Sequence, residues 1–386
     1  MARAKVRLNF QDGTEITNAI RISMRERFVD PLDSLEFVCK PPRDQVRDYY
    51  DRLRKGELVA ALVDGKAQIV GAVDTLNVIS GPGDGVAFQV TASPPIKMLY
   101  EAAAAQSLTK VLQADASVLD LVLEAIEPFG LSEVAGETDL VNIRTKTGKG
   151  SGAVAVNVDA LKYSEAVVQP NETVYQFLAR VLTRLGVMLR MDPTGLVYVT
   201  APHYDGDPLA TLVQAAAGAG PVGDRFFGDV EIVESNEAQY SFCEIVGAAI
   251  DSDGETRANV PKARVLTTDL SSSRPPFRAS TYIYYKPLFL RDTNCRDVER
   301  AQSMAKLKLG LAAESAFRVS GQVDGLVSRD GIPWTVDTLC HVFVDSIDLD
   351  EPMWISERTF TQDAEGGQRT NITLLPKGAL VLGDTP

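Results

Sequence analysis

Both ends of the 386-residue chain carry the same strand-like pattern, and this feature restricts its fold more than any other. Residues 1–94 contain short alternating apolar and polar runs, and turn signals such as Asp64-Gly65 separate them at intervals of roughly ten residues. Residues 317–380 contain four more such runs, with Asp330-Gly331 as a hairpin-turn signal. Such spacing favours small antiparallel barrels or sandwiches. We therefore predict two small antiparallel β-barrel domains.

The middle of the chain has a mixed helix and strand pattern, which predicts an α/β domain. Residues 96–107 are rich in alanine and predict one helix, and residues 117–128 predict a second with Ser117 as its N-cap. A longer helix is predicted over 296–316, where apolar residues recur on one side. Residues 251–276 are polar and end in SSSRPP, so we expect an exposed loop there.

Residues 171–199 combine a helix with a hairpin. The apolar residues of the predicted helix recur at intervals of three and one, which places them on one face. They are Val174, Phe177, Leu178, Val181, Leu182 and Leu185. We expect Asn171 to cap the helix, Gly186 to end it in a left-handed conformation, and residues 192–195 to form the turn of the hairpin that follows.

These patterns predict the domain boundaries and the fold class. We expect a first β-barrel at 1–94, an α/β domain at 95–212, a linker at 213–225, and a second β-barrel at 226–386 that a loop and helix interrupt at about 251–316. The fold class is therefore α+β and mainly β.

A short sequence echo connects the two β regions. Residues 62–76 and 326–339 each contain an Asp-Gly turn followed by VDTL. A four-residue match arises by chance in a chain of this length, so the echo is compatible with two similar barrels without proving a repeat.

Composition narrows the classes of function. The formal net charge is −13, and so acidic a surface repels nucleic acid at a distance. The N-terminus has no apolar segment of signal-peptide length, and no stretch approaches the ~20 apolar residues of a membrane span, so we expect a chain that folds in a cytoplasm and does not insert into membranes. The four cysteines, which match no zinc-binding spacing, are expected to be buried thiols; a disulfide is the alternative. They are Cys39, Cys243, Cys295 and Cys340.

A search for reactive residues predicts no catalytic, cofactor-binding or metal site. The two histidines, His203 and His341, are interpreted as a loop residue and a strand residue, and Cys340 must point away from its neighbour His341 in a strand. An acidic cluster offers a weaker cation-binding alternative, although it lacks calcium-loop spacing. It comprises Asp345, Asp348, Asp350 and Glu351. Residues 146–152, KTGKGSG, fail the phosphate-loop pattern and predict a flexible loop.

The segment 167–202 resembles tail-hub proteins. The shared pattern is an acidic or Asn residue, an aromatic-Leu helix, a Leu-Gly break and a strand–turn–strand with Asp and Gly in its turn. In this chain these features are Asn171 and Glu172, Phe177-Leu178, Leu185-Gly186, and Asp192 to Gly195, with a Gly-x-x-Trp entry at Gly331 and Trp334. The proteins concerned are the baseplate hubs of contractile-tailed phages, including Mu-like hubs and late control protein D, and the related spike-hub proteins of type VI secretion.

This resemblance implies a structural role in the virion tail baseplate, assembled in the bacterial host cytoplasm. Three copies would form a ring in which two barrels per chain give six similar positions. Such a homotrimer would join a sixfold tail tube to a threefold central spike, contact other baseplate wedge proteins and pass DNA during ejection. An acidic channel lining is a further hypothesis, because it would repel the passing DNA. No cofactor and no enzymatic activity are implied.

Two other functions stay open at this point. One is a tail-associated enzyme that degrades the cell wall, which would need paired acidic residues in a cleft. The other is the hub of a DNA-free contractile injection system, which the sequence does not distinguish from a phage hub.

Overall fold

The computed structural model describes residues 3–81, 85–110, 116–131, 162–163, 166–202, 204, 206–216, 219–235, 240–247, 260–266, 285–292, 295, 298–314 and 316–379. The helices of these residues are α1 (Val46–Arg52), α2 (Lys97–Glu101), α3 (Val118–Ile126), α4 (Val174–Thr183) and α5 (Val298–Glu314). The first strands are β1 (Val6–Phe10), β2 (Glu15–Ile16), β3 (Ala19–Arg27), β4 (Ser34–Cys39), β5 (Leu58–Val63), β6 (Lys66–Gly81), β7 (Gly85–Ser93), β8 (Ala116–Ser117), β9 (Lys162–Tyr163), β10 (Met188–Met191) and β11 (Val197–Thr200). The later strands are β12 (Thr211–Gln214), β13 (Asp224–Arg225), β14 (Glu231–Glu234), β15 (Phe242–Val246), β16 (Lys262–Leu266), β17 (Pro287–Arg291), β18 (Phe317–Asp324), β19 (Leu339–Val344), β20 (Leu349–Asp363) and β21 (Gly367–Pro376).

One large mixed sheet joins the two ends of the chain. Its strands follow the order β13-β12-β19-β20-β3-β4-β7-β6-β5-β1-β2, and β21, β18 and β14 branch from β20. The N-terminal and C-terminal halves meet where β20 pairs antiparallel with β3, from Glu357 opposite Arg27 to Gln362 opposite Ile22. The mainly β, α+β class is confirmed, whereas closure of each half into its own barrel stays a prediction.

A single hydrophobic core spans both halves. It extends from Leu8 and Phe37 in the N-terminal half to Trp354 and Phe360 in the C-terminal half. Phe28 meets Trp354 edge-on, with ring centroids 4.9 Å apart, so aromatic packing crosses the β3–β20 junction. Burial of such large rings ties the two halves together in addition to the backbone hydrogen bonds between the strands.

The two halves repeat one strand ladder. β4, β7, β6 and β5 are neighbours in that order, as are β18, β21, β20 and β19. Each long hairpin shifts register once, between Val73 and Thr75 in β6 and between Ile355 and Glu357 in β20. The connections that follow, 82–84 and 364–366, have equal length. The ladders therefore match residue by residue.

The VDTL echo does not mark this repeat. The first copy, 73–76, lies in β6, whereas the second, 336–339, only enters β19 at Leu339. In the matched ladders the residues equivalent to 73–76 are 355–358, which read ISER. The repeat is thus one of backbone pairing, and the echo is a coincidence of sequence.

The α/β part has its own core and confirms the predicted helix and hairpin. α4 buries Val174, Phe177, Leu178, Val181 and Leu182, and β10 pairs antiparallel with β11. These residues join α2 and α3 in a second hydrophobic cluster. Helical periodicity placed the stripe correctly because burial on one side of a surface helix selects apolar residues every three or four positions.

The cap of α4 differs from the prediction. Thr173, not Asn171, accepts a hydrogen bond from the backbone of Gln176, and the Gln176 side chain bonds back to the Thr173 backbone, which forms a capping box. Asn171 instead has φ 63°, a left-handed conformation within the preceding turn. Gly186 has φ 75° and ends the helix as predicted.

Two of the other predicted helices are shorter in the structure. α2 stops at Glu101 because the backbone of Ala102 and Ala104 pairs with residues at the start of α4 and just before it, with Val174 N donating to Ala102 O at 3.0 Å. α3 begins after Ser117, whose side chain makes no capping hydrogen bond, and ends at Ile126.

Two segments predicted to lack secondary structure contain strands. β16 lies within 251–276, so the expectation of a continuous loop was wrong for residues 262–266. Burial alternates along these residues, with Ala263 and Val265 buried in the core that also contains α5 residues. The strand is too short, and its surroundings too polar, for this pattern to stand out in the sequence. The expected linker, 213–225, starts within β12 and ends within β13. The domain boundaries themselves stay a prediction.

Candidate assembly surfaces

The four cysteines are buried and form no disulfide, as predicted. Burial raises the pKa of Cys39 to about 12, of Cys243 to about 11 and of Cys340 to about 12. Because the thiolate is the nucleophile and the metal ligand, thiols with such high pKa values are unreactive at neutral pH. These three cysteines therefore pack as small apolar residues.

The remaining sequence candidates do not converge. His341 Nε2 lies 2.6 Å from Asp350 Oδ1 at the surface, while Cys340 is buried on the opposite side of β19, as strand alternation requires. Asp348 adopts a left-handed conformation, and its backbone N–H donates to Asp345 O at 3.3 Å. Within the described residues no group of three or more His, Cys, Asp or Glu side chains is arranged to hold a metal ion. His203 and residues 146–152 lie outside the described residues.

A buried charge cluster occupies the junction that sequence reasoning missed. Arg358 Nε of β20 donates to Glu26 Oε2 of β3 at 2.8 Å, and Arg190 Nη2 of β10 donates to Glu26 Oε1 at 3.2 Å. Both arginine side chains are only 2% exposed. The Arg190 guanidinium also lies over the Phe28 ring, 4.8 Å from its centroid. Glu26 thus links both halves and the α/β part at one point.

The electrostatics of this cluster follow from its burial. Burial and the neighbouring Glu26 charge raise the pKa of Asp33 well above its ordinary value. Burial lowers the pKa of Arg190, but the facing groups, led by Tyr198 and Glu26, outweigh it and raise the pKa. Arg190 therefore stays charged and needs Glu26 as its counter-ion. The only sequence signal was an arginine in the middle of the strand MLRM, otherwise apolar and buried throughout.

The strand edges of the large sheet that lack a partner among the described residues include those of β6 and β14. β5 pairs with β6 only as far as Ala72, so residues 75–81 of β6 have a neighbour only in β7. This stretch, TLNVISG, carries no charge, and Val78 and Ile79 are 46% and 58% exposed. β14 likewise pairs only with β18 in the described part of the chain. Unpaired edges are templates for pairing with another strand. The free stretch of β6 carries no charge that would oppose such pairing, whereas β14 carries Glu231 and Glu234.

The face of the large sheet that points away from the core is polar and of mixed charge. Arg25 Nε and Arg27 Nε lie 2.7 Å and 3.2 Å from the carboxylate oxygens of Glu357. Further along this face Gln322 Nε2 donates to Asn371 Oδ1 at 3.0 Å. Side chains of this face therefore bond to each other across strands and leave a hydrated surface without a dominant sign of charge.

A smaller sheet presents aromatic side chains to solvent. β15 pairs with β16 and β17, and its inner face, with Cys243 and Ile245, joins the core that contains α5 residues. On the outer face Phe242 contacts the rings of Tyr285 and Phe289, which are 69% and 59% exposed. Exposed aromatic clusters of this kind are frequent at protein–protein contacts.

No helix in the described part of the chain is long and apolar enough to cross a membrane. No protein-family model matches the sequence, and no curated protein matches it.

Solved structures of tail proteins share this architecture over nearly its full length. The tail protein from Neisseria meningitidis MC58 superposes with a TM-score of 0.73 at 18% identity, over 98% of both chains. The 43 kDa tail protein of prophage MuSo2 from Shewanella oneidensis gives a TM-score of 0.72 at 16% identity, over 98% of this chain and 99% of the other. A chain of the Francisella PdpA–VgrG complex gives 0.52 at 9% identity, covering all of this chain and 54% of the other.

These similarities define the class of fold. The chain has the architecture of phage tail proteins, and the resemblance noted from segment 167–202 is confirmed at the level of fold.

Proposed function

We propose that the chain is a structural hub of a contractile phage tail. Three copies form a ring with pseudo-sixfold symmetry, which joins a sixfold tail tube on one side to a threefold central spike on the other. The observation that carries this proposal is the repeated ladder: one chain supplies two sheet halves with the same strand order and the same register shift. Three chains then supply six similar elements around one axis.

The polar face of the large sheet is the natural lining for the central channel. Its ion pairs, such as Arg25 with Glu357, place both signs of charge side by side. DNA passing through would meet hydrated, mutually paired groups that release few counterions, and so would bind weakly. We therefore replace the expectation of an acidic lining by a proposed mixed-charge one.

The neighbouring baseplate components are proposed from the same ring. A tube protein stacks on one side, a separate spike protein on the other, and wedge proteins contact the outside of the ring. The exposed rings of Tyr285 and Phe289, which pack on the buried ring of Phe242, are a candidate contact for one of them. A DNA-free injection machine is the second candidate, favoured by the similarity to a chain of the PdpA–VgrG complex.

Native mass spectrometry and electron microscopy test the proposal. At high protein concentration, alone or with the tail tube protein, we expect a species near three times 41.8 kDa per hub and a threefold ring with six peripheral lobes. A monomer under both conditions, or a ring of another symmetry, would contradict it.

A further inference from the structure

The junction between the two halves shows how these modules pair. The outer part of β20 is covered by β3, and at its centre Phe360 lies opposite Met24. Both side chains are buried. β3 belongs to the other half of the repeat, so the junction joins the hairpin of one half to the edge strand of the next.

The equivalent segment of the other hairpin has no such cover in the described residues. Aligned by the register shift, Thr75 corresponds to Glu357 and Val78 to Phe360. Phe360 is fully buried, whereas Val78 is 46% exposed at the free edge of β6. Among the described residues no strand lies beside this part of β6 as β3 lies beside β20, and this accounts for the difference in exposure.

That equivalent strand exists in the same chain, at the far end of the sheet. β14 pairs with β18 as β3 pairs with β4: Ile232 lies opposite Val319, and Met24 opposite Leu35. Val319 lies opposite a residue of β21, and Leu35 lies opposite a residue of β7; these two opposing residues hold the same position in the matched ladders. Ile232 is therefore the counterpart of Met24, and its strand has a free outer edge among the described residues.

We propose that the free edge of β6 in one copy pairs antiparallel with β14 of a second copy of this chain. When the register of the β20–β3 junction is applied to β6 and β14, Val78 lies opposite Ile232 and Asn77 lies opposite Val233. The pairing rests on the ring proposed above and specifies the contact that closes it.

The pairing is forced to be between chains. β14 and β6 are the two ends of the run β14-β18-β21-β20-β3-β4-β7-β6. Among the described residues these two strands do not pair with each other within one chain, so the proposed pairing requires a second copy. Each copy therefore offers one donor edge and one acceptor edge, a head-to-tail arrangement that closes as a ring.

Cysteine cross-linking tests this register. The variant Asn77→Cys with Val233→Cys places two thiols on directly opposite residues, about 4.5–5.5 Å apart at Cα, which suits a disulfide. The matched control Asn77→Cys with Glu231→Cys keeps the same sheet face but shifts one partner by two residues, to roughly 8 Å. The four natural cysteines are buried and stay in place.

We expect the first variant to form covalent dimers and trimers on oxidation, at least tenfold faster than the control, and reduction to reverse them. Native mass is measured in parallel. Trimers that do not cross-link, or that cross-link equally in both variants, would overturn the β6–β14 pairing while leaving the proposed hub intact. A protein that stays monomeric with and without the tube protein would overturn both.

Discussion

Replacement of Glu26 by alanine tests the charge cluster at the junction. Glu26 binds Arg358 and Arg190 at 2.8 Å and 3.2 Å, and both arginine side chains are almost fully buried. Removal of one partner of a buried ion pair costs about 3–5 kcal/mol, because the other charge is left without compensation. Here two guanidinium groups lose their counter-ion at once.

Asp33 limits this loss. Burial and the Glu26 charge raise the pKa of Asp33, while Arg190 and Arg358 lower it, so removal of Glu26 favours the ionised Asp33 carboxylate beside the two arginines. We therefore expect Glu26→Ala to lower the free energy of unfolding by about 3 kcal/mol, the lower end of that range.

Urea denaturation followed by tryptophan fluorescence is the assay, because Trp354 packs against Phe28 beside this cluster. The matched control is Glu15→Ala, which removes a half-exposed ion pair with Arg7 in the same sheet and should cost about 0.2–1 kcal/mol. Equal losses for Glu26→Ala and Glu15→Ala would refute the reasoning, since they would mean that the buried cluster contributes no more than a surface pair.

Three further predictions concern the α/β core, an acid-sensitive ion pair and the free edge. Leu182→Asp places a charge in the second core and should abolish the unfolding transition of the α/β part; an unchanged melting curve would contradict the helix packing. Burial raises the pKa of Glu172, but the hydrogen bonds from Arg180 outweigh burial, so the net effect is a lowered pKa. The ionised Glu172 therefore stabilises the folded protein above the ordinary carboxyl pKa, and this stabilisation is lost as the pH falls through the folded-state pKa. Glu172→Gln should make the free energy of unfolding less dependent on pH below about pH 4.5, and an unchanged pH dependence there would disprove this. Val78→Lys should leave the melting temperature within about 2 °C yet prevent trimer formation, as native mass would show, and trimers in undiminished yield would exclude β6 from the interface.

Local chemistry made part of the fold predictable. Asp64 and Gly65 both have positive φ, 48° and 79°, and form the two-residue turn between β5 and β6 that their sequence indicates. The apolar stripe of α4 was readable for the same reason, because its spacing records which face is buried. In both cases the determining residues lie within a few positions of each other.

The junction was not predictable because its partners are remote in sequence. Arg190 and Glu26 are 164 positions apart, and Arg358 and Glu26 are 332 apart. Nor did the repeat show in the residues, since β6 and β20 share a backbone ladder while TLNVISG and ERTFTQD share no identical position. A strand ladder of this kind requires side chains that alternate between the two faces of the sheet and a register shift at one fixed position. Many different sequences meet both requirements.

The two junctions of the proposed ring differ in a way that bears on when it forms. Inside the chain, Glu26 and Arg358 face each other; at the matching position between chains, Leu76 would face Glu234. The inner junction is tethered and ion-paired, so it forms as the chain folds. The outer one must also overcome the loss of free translation and rotation, and it does so with backbone hydrogen bonds and the contact of Val78 with Ile232. Ring closure should therefore depend on concentration, or on a tube or spike that gathers the copies, while each chain folds alone. An edge left without charge is an aggregation hazard, and its retention is explained if the neighbouring copy covers it.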